Sequence, residues 1–195
     1  MTRLVIYDLD GTLVDTREDL RHADAYVRSR LDPSAGPPGA PAPVEAAEAL
    51  FAAYYARHAY EHSRLYPGVR RLLAHFHGKC HQAVLTDRPN PFARELVETL
   101  GVSRYFLEVV AGGAHPGKPH PAGALALMAK AGARPEETLL IGDRPIDVET
   151  GRNAGAVTVA VAHGAAAAQE LRACGPDVLA DDLPHVLELA RRSGW

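Results

Sequence analysis

Short apolar runs alternate along the sequence with amphipathic segments of helical length. The apolar runs, in which strand-forming residues predominate, are Leu4–Tyr7, Ala83–Leu85, Phe106–Val110, Thr138–Ile141 and Val157–Val161. Segments with helical periodicity precede the last four of them and cover Arg70–His77, Pro91–Leu100, Pro121–Ala133 and Pro145–Ala154. Continuous apolar strands separated by helices are typical of a parallel sheet that is covered on both faces. The pattern therefore predicts an α/β fold with a doubly wound parallel sheet.

The alternation is interrupted after the first strand, where residues 15–65 contain no second strand signal. Thr16-Arg-Glu-Asp19 resembles a capping box and predicts a helix to about Arg30, and a second helix is predicted from Val44 to about His62. Between them, residues 32–43 contain five prolines and two glycines, which exclude regular structure. We therefore predict a core domain of residues 1–14 and 66–195 that carries a two-helix cap, residues 15–65, with a Pro/Gly-rich loop at 32–43.

The composition narrows the class of protein. A chain of 195 residues with 47% hydrophobic and 23% charged residues is globular, and its net charge of −3 excludes a nucleic-acid binder that relies on a broad basic surface. The two cysteines, Cys80 and Cys174, provide no disulfide framework, which is typical of a reducing compartment. No apolar run approaches the roughly 18 residues that a membrane helix requires. We expect a cytoplasmic protein that binds neither nucleic acid nor membranes.

Polar side chains follow four of the predicted strands, at the edge of the sheet where open α/β folds bind ligands. They are Asp8 and Asp10 after the first strand, Thr86 after the second, Lys118 in the loop after the third, and Asp143 and Asp147 after the fourth. A single acidic residue after a strand is readily explained as a helix cap. Polar side chains after four strands at one edge of the sheet are hard to explain in this way. The sequence therefore predicts a functional site there.

The charges at this edge indicate the chemistry. Four aspartates against one lysine are strongly unbalanced, since like charges ~4 Å apart repel by ~4 kcal/mol at an effective dielectric constant of about 20. A divalent cation would relieve the repulsion, and ligation by oxygen alone favours Mg²⁺, which commonly also takes a substrate phosphate oxygen. An aspartate with its usual pKa of ~3.9 is ionised at neutral pH and can attack a phosphate ester without a base to activate it.

Four motifs occur in the order in which a known superfamily has them. They are Asp8-Leu-Asp-Gly-Thr-Leu-Val-Asp15, then Thr86, then Lys118-Pro-His-Pro121, then Ile141-Gly-Asp-Arg-Pro-Ile-Asp147. Together they resemble the four motifs of the haloacid dehalogenase-like (HAD) superfamily, and the resemblance covers nearly the whole chain. Tyr66-Pro67-Gly68-Val69 and the aromatic-rich second cap helix with His58 resemble its phosphoglycolate phosphatase branch, whose helical cap is larger than this one.

The resemblance implies catalytic roles for the matching positions. Asp8 would be the nucleophile that forms an aspartyl-phosphate. Asp10 would protonate the leaving alcohol and then deprotonate the hydrolytic water, while Thr86 and Lys118 would bind the phosphoryl group. Dehalogenases of the superfamily lack an aspartate two positions after the nucleophile, so Asp10 favours phosphoryl transfer.

The resemblance also implies a magnesium site. Mg²⁺ would be held by the carboxylate of Asp8, the main-chain carbonyl of Asp10 and Asp143. Asp147 would be a further carboxylate of the metal site, or would orient Lys118 or a metal-bound water.

Substrate recognition departs from the family pattern. Asp87 follows Thr86 where the family usually has a neutral residue, and a carboxylate there would repel a phosphate unless it turned away or paired with Arg88. His58 and Arg64, in the cap, are candidates for binding a substrate carboxylate. The alternative for His58 is that it lies at the edge of an apolar stripe that packs against the first cap helix.

The function predicted from these observations is an Mg²⁺-dependent phosphatase that acts on a small phosphorylated metabolite, as a monomer or a homodimer. One alternative is a phosphomutase of the same superfamily, in which a substrate hydroxyl replaces water. The other is a non-catalytic, phosphate-binding regulatory module, although such a module has no need for Asp10.

A second group of metal-ligating side chains, His75, His77, Cys80 and His81, could bind a soft metal ion. The alternative is that the first two close a helix, where protonated histidines interact favourably with the helix dipole. We favour the second interpretation.

Overall fold

The computed structural model describes residues 1–31 and 44–195, so the predicted Pro/Gly-rich loop at 32–43 lies outside the described residues. The chain divides into two compact units. We call residues 1–15 and 65–195 the core unit, and residues 16–64 the helical unit. Within the described ranges, no helix is both long and apolar enough to cross a membrane.

The secondary structure of the described residues follows the predicted alternation. The strands are β1 (Leu4–Tyr7), β2 (Val14–Asp15), β3 (Arg64–Leu65), β4 (His81–Pro89), β5 (Glu108–Gly112), β6 (Thr138–Gly142), β7 (Val157–Val161) and β8 (Val178–Ala180). The helices are α1 (Arg17–Arg30), α2 (Val44–His58), α3 (Val69–Phe76), α4 (Phe92–Thr99), α5 (Ala122–Ala131), α6 (Pro145–Asn153), α7 (Ala168–Ala173) and α8 (Leu183–Ser193).

The core unit is built on a parallel sheet of strand order β5-β4-β1-β6-β7-β8. Tyr7 of β1 pairs with Val84 of β4 on one side and with Ile141 of β6 on the other. The chain thus proceeds outward from β1 in one direction and then returns to build the other half. This confirms the predicted doubly wound α/β fold, and it places the point where the strand order reverses, a preferred ligand site, next to β1.

Strand β1 is buried on both faces of the sheet. Leu4 and Ile6 pack in a cluster with Leu127 and Met128 of α5. On the opposite face, the hydroxyl of Tyr7 donates a hydrogen bond to Gln82 Oε1 (2.9 Å). All four residues of β1 are fully buried, so the residues that follow this strand start from a fixed position.

The C-terminal part of the core unit was not predicted from the apolar pattern. Strand β8 has only three residues, and it is followed by α8. Helix α8 does carry start and stop signals, because the side chain of Asp182 accepts a hydrogen bond from the N–H of His185 and Gly194 ends the helix with a left-handed φ of 66°. These signals could have located the helix.

Two expectations for the helical unit are wrong. Helix α2 ends at His58 rather than near His62, since Tyr60 adopts a positive φ of 75°, which a continuing helix excludes. Thr16 and Asp19 do not form a capping box: Thr16 makes no side-chain cap bond, and Asp19 accepts hydrogen bonds from the backbone of His62 (2.9 Å) and the hydroxyl of Ser63 (2.5 Å). Asp19 thereby fastens the end of this unit to α1.

Candidate active site

The loop after β1 presents Asp8 from a tightly folded backbone. The N–H of Asp8 still bonds to Ile141 O (2.9 Å), as in the sheet, and the N–H groups of Leu13 and Val14 then return to Leu9 O. Gly11 turns the chain with a φ of 89°, a conformation that glycine adopts readily. The loop is therefore fixed by the sheet and by its own hydrogen bonds.

Three carboxylates converge beside this loop. Asp8, Asp143 and Asp147 are all buried, and each offers an oxygen within 4.8 Å of the others. Asp143 accepts hydrogen bonds from the hydroxyl of Thr12 (2.8 Å) and the N–H of Ala165 (2.7 Å). Three of the four aspartates predicted to hold a cation are thus brought together by contacts between β1, β6 and the segment after β7.

Lys118 lies between two of these carboxylates. Its ammonium group donates to Asp8 Oδ1 (2.5 Å) and to Asp147 Oδ1 (2.6 Å), and its side chain is only 2% exposed. Burial alone would lower the pKa of Lys118, but the two adjacent carboxylates raise it above its usual value. Lys118 is therefore a permanent positive charge at the centre of the site.

Burial also changes the acidity of the aspartates. It raises the pKa of Asp8 to about 8 in the metal-free protein, against the lowering effect of Lys118, and it raises the pKa of Asp143. The expectation that Asp8 keeps its ordinary pKa is therefore wrong for the metal-free protein. The reason is physical: an ionised carboxylate taken out of water needs compensating charge, and one lysine shared with Asp147 does not supply enough.

Arg88, to which the sequence analysis assigned no catalytic role, connects Thr86 with Asp10. The hydroxyl of Thr86 accepts the backbone N–H of Arg88 (3.1 Å). The Arg88 guanidinium donates from Nε to Asp10 Oδ2 (2.9 Å), and its Nη2 bonds the other carboxylate oxygen, Oδ1. The Arg88 side chain is 6% exposed and that of Asp10 is 27% exposed. Asp10 is thus held by a fork of two bonds.

Asp87, which departs from the family pattern, does not pair with Arg88. Its Oδ1 accepts the backbone N–H of Lys118 (3.3 Å), and its Oδ2 lies 3.6 Å from the guanidinium of Arg144. Asp87 thus contacts the loop that carries Lys118 and gains a neighbouring positive charge.

A histidine after β7 also reaches the loop that follows β1. His163 Nε2 lies 3.0 Å from the carbonyl oxygen of Thr12, and its ring packs on Tyr66 with the centroids 4.3 Å apart. From the sequence alone no role can be assigned to His163, because histidines are common in loops.

The backbone leaves room for Asp143 only because two glycines surround it. A Cβ atom would lie 2.3 Å from an Asp143 oxygen at Gly11, and 2.2 Å from one at Gly164. Such distances are far below van der Waals contact. The buried carboxylates, their oxygen-only chemistry and this close backbone fit the requirements of an Mg²⁺ site.

We expect Gly164→Ala to displace Asp143 and to weaken Mg²⁺ binding at least tenfold, the range found when support of metal ligands is disturbed. Gly164 has no positive φ, so the effect would come from the added methyl group alone. The measurement is a calorimetric Mg²⁺ titration. Gly117→Ala is the matched control, because its Cβ would meet only Asp87 Oδ1 at an ordinary 3.5 Å. Equal Mg²⁺ affinity of the two variants would contradict the expectation.

The cap candidates lie in the helical unit, where each has a partner. His58 lies 3.0 Å from Glu61 and packs against the ring of Tyr54, and Arg64 lies 3.5 Å from Glu18. Tyr54 in turn stacks on Tyr26 of α1 with the centroids 4.7 Å apart, which agrees with the apolar-stripe interpretation. Binding of a substrate by His58 or Arg64 stays a prediction.

In the described ranges, one further group of metal-ligating side chains converges within 4.8 Å, namely Glu18, His22 and His62 in the helical unit. Arginines already lie against two of its donors: Arg64 is 3.5 Å from Glu18, and Arg21 is 3.4 Å from the ring of His22. These cations oppose a metal ion there. The histidine-rich segment at 75–81 forms no such group among the described residues.

Comparison with known proteins agrees with this geometry. The haloacid dehalogenase-like hydrolase family matches residues 41–161, which is more than half of the chain. A phosphoglycolate phosphatase of Vibrio parahaemolyticus is 30% identical, over 96% of this chain and 95% of its own. Phosphoglycolate phosphatase 1 of Pseudomonas aeruginosa is 34% identical, over 94% of this chain and 79% of its own.

The fold also agrees with solved structures. A haloacid dehalogenase-like family hydrolase from Streptococcus pneumoniae superimposes with a TM-score of 0.83 at 23% identity, over 96% of this chain and 98% of its own. This similarity shows the fold, while the sequence matches show the family. The chain therefore belongs to the haloacid dehalogenase-like hydrolases, and it is a phosphatase.

Proposed function

We propose that the chain is an Mg²⁺-dependent phosphatase that hydrolyses a small phosphomonoester through an aspartyl-phosphate on Asp8. The observation that supports this most directly is the contact of Asp8 with Lys118 inside a buried carboxylate cluster. A carboxylate held in one orientation beside a fixed cation is suited to attack a phosphorus atom whose oxygens carry negative charge.

In the first step, an oxygen of Asp8 attacks phosphorus and the bond to the ester oxygen breaks. The leaving alcohol takes its proton from Asp10. In the second step, water attacks phosphorus, the bond to Asp8 breaks, and Asp10 takes a proton from that water. Lys118 stabilises the charge on the phosphoryl oxygens. The hydroxyl of Thr86, which accepts a bond from Arg88 N–H, keeps its own proton to donate to one of these oxygens.

Mg²⁺ would be held by the carboxylates of Asp8 and Asp143 and the main-chain carbonyl of Asp10, with Asp147 as a neighbouring carboxylate that also orients Lys118. When bound, it would supply positive charge that balances the carboxylates and the incoming phosphate.

Phosphoglycolate is the first substrate to test, because both of the relatives compared above are phosphoglycolate phosphatases. The carboxylate of phosphoglycolate is a group that His58 and Arg64 of the proposed cap could bind. Asp87 would be tolerated beside the phosphate because Arg144 offsets its negative charge. Both relatives compared above are phosphatases, which favours hydrolysis over the mutase alternative. A cytoplasmic location and a monomeric or homodimeric state stay predictions.

The test is phosphate release from phosphoglycolate, p-nitrophenyl phosphate, sugar phosphates and nucleoside monophosphates, each with Mg²⁺ and with a chelator. We expect release that requires Mg²⁺ and is fastest with one class of small phosphomonoester. No release by the folded, Mg²⁺-loaded protein would contradict the proposal and favour the regulatory module.

Binding of Mg²⁺ is expected to depend on pH and to release a proton near neutrality. Since burial raises the pKa of Asp8 to about 8, Asp8 is mainly protonated at pH 7 in the metal-free protein and must lose that proton to bind the ion. The apparent affinity should therefore fall by up to about tenfold for each pH unit below 8. Calorimetry at pH 7 in buffers of different ionisation heat would measure the released proton.

Asp8→Asn is the control for this pH effect, because the amide has no proton to lose. An Mg²⁺ affinity of the wild-type protein that stays constant from pH 6 to 9 would show that Asp8 is ionised throughout.

A further inference from the structure

The pair between Arg88 and Asp10 differs from the other arginine pairs of the core unit. Arginines that pair with Glu108, Glu136 and Glu188 have side chains that are 51%, 68% and 73% exposed, whereas that of Arg88 is 6% exposed. Burying two charges costs desolvation, so a buried pair is poor support for stability alone. The position of this pair, on a proposed catalytic carboxylate, suggests a different use.

The backbone holds Arg88 in place independently of Asp10. The pairing of β4 with β5 shifts register between Leu85 and Pro89, which places Thr86, Asp87 and Arg88 in an irregular stretch. The N–H of Arg88 bonds to the hydroxyl of Thr86, and a Cβ atom on Gly112 would lie 2.2 Å from the carbonyl oxygen of Asp87. Closely packed backbone on one side and a hydrogen bond on the other thus fix the start of the arginine side chain.

We propose that Arg88 is a positioning residue that fixes the carboxylate of Asp10 for the second step, the hydrolysis of the aspartyl-phosphate. This proposal rests on the function proposed above. In that step the oxygen of water forms a bond to phosphorus, the bond between phosphorus and Asp8 breaks, and the water proton moves to Asp10. The products are inorganic phosphate and free Asp8.

The role of Asp10 in the second step can be measured separately from its role in the first. In the pair, each oxygen of Asp10 accepts a bond from the guanidinium, and an ionised carboxylate has about four acceptor sites over its two oxygens. A carboxylate held in this way can still receive a proton from water, with both oxygens in a fixed orientation. The first step does not need Asp10 as an acid when the leaving group is p-nitrophenolate, because p-nitrophenolate departs without a proton. Loss of Arg88 should therefore slow hydrolysis of the aspartyl-phosphate more than its formation from p-nitrophenyl phosphate.

The experiment is stopped-flow release of p-nitrophenol by Arg88→Ala and Arg88→Lys, with Mg²⁺ present. We expect Arg88→Ala to show a burst close to one equivalent of enzyme, followed by a steady state that is roughly 10- to 100-fold slower than wild type, part of the usual contribution of a general base. Arg88→Lys restores a positive charge but not the planar fork of two bonds, and it should recover part of the loss. When the phosphate of the substrate is labelled, acid-quenched samples of Arg88→Ala should contain accumulated, labelled aspartyl-phosphate.

Two controls separate positioning from a structural role. Arg94→Ala removes an arginine of the core unit that pairs with Glu108 on the surface, and it should show no burst. In the Asp10→Asn background, Arg88→Ala should change the steady-state rate less than twofold, because its effect passes through Asp10.

The outcomes are distinct. If the burst rate and the steady-state rate of Arg88→Ala fell in the same proportion, or if neither changed, the proposed role of Arg88 would be overturned. Turnover by the wild-type protein in the same experiment would leave the proposed function intact. A wild-type protein that neither turns over nor forms an aspartyl-phosphate would overturn the proposed function and, with it, this role.

Discussion

Asp8→Asn is expected to lower kcat for phosphate release by roughly 10⁴-fold or more, the scale of loss when a catalytic nucleophile is removed. The amide has nearly the shape of the carboxylate, so the site should stay assembled. The amide lacks the charge to attack phosphorus. The other two carboxylates of the cluster, Asp143 and Asp147, follow β6 and do not replace Asp8 at the end of β1. The measurement is phosphate release with Mg²⁺ at saturating substrate.

The matched control for this change is Asp181→Asn, which alters an aspartate of the core unit with a side chain that is 94% exposed. That variant should retain wild-type activity. If Asp8→Asn kept more than a few per cent of the activity in a preparation free of wild-type enzyme, Asp8 would not be the nucleophile.

At pH 9, above the pKa of about 8 at which Asp8 ionises, Lys118→Met is expected to lower the free energy of unfolding of the metal-free protein by roughly 3–5 kcal/mol, the cost of leaving buried charges without their partner. Lys118 contacts Asp8 and Asp147 at 2.5 and 2.6 Å, and the side chains of all three residues are at most 2% exposed. Methionine preserves much of the shape of the side chain but removes its charge. Urea unfolding with and without Mg²⁺ would measure the loss, and the ion should recover part of it by supplying charge to the same carboxylates.

Lys130→Met is the surface counterpart, since Lys130 pairs with Glu108 but its side chain is 49% exposed. Pairs of this kind contribute up to about 1 kcal/mol. Equal losses of stability in the two lysine variants would mean that burial of Lys118 adds nothing to its contribution.

The sequence was sufficient to predict the sheet and most of the site, for reasons that particular residues illustrate. Strands such as Leu4–Tyr7 and Val157–Val161 are continuous apolar runs, which parallel sheets require. Asp8, Lys118 and Asp147 could be assigned to one place because the carboxyl ends of parallel strands share one edge. The structure brings these three into direct contact.

What could not be predicted depends on side-chain partners far apart in sequence. Arg88 stands next to Asp87 in the chain but bonds Asp10, 78 positions away, and only the register of β1 against β4 decides this. The raised pKa of Asp8 could not be predicted either, because its largest cause is the depth of burial, which the sequence does not show, while the neighbouring charges of Lys118 and of Asp147 and Asp143 act in opposite directions.

The central position of β1 has a consequence for the synthesis of the protein. Its four residues become fully buried only when β4 and then β6 have paired with them, and β6 pairs through residues 138–141. At 5–20 residues per second, the ribosome needs on the order of 10 s to proceed from one strand to the other. During that interval the apolar Leu-Val-Ile-Tyr segment has an unpaired strand edge, so the nascent chain must be kept apart from its neighbours until residue 141 has been made.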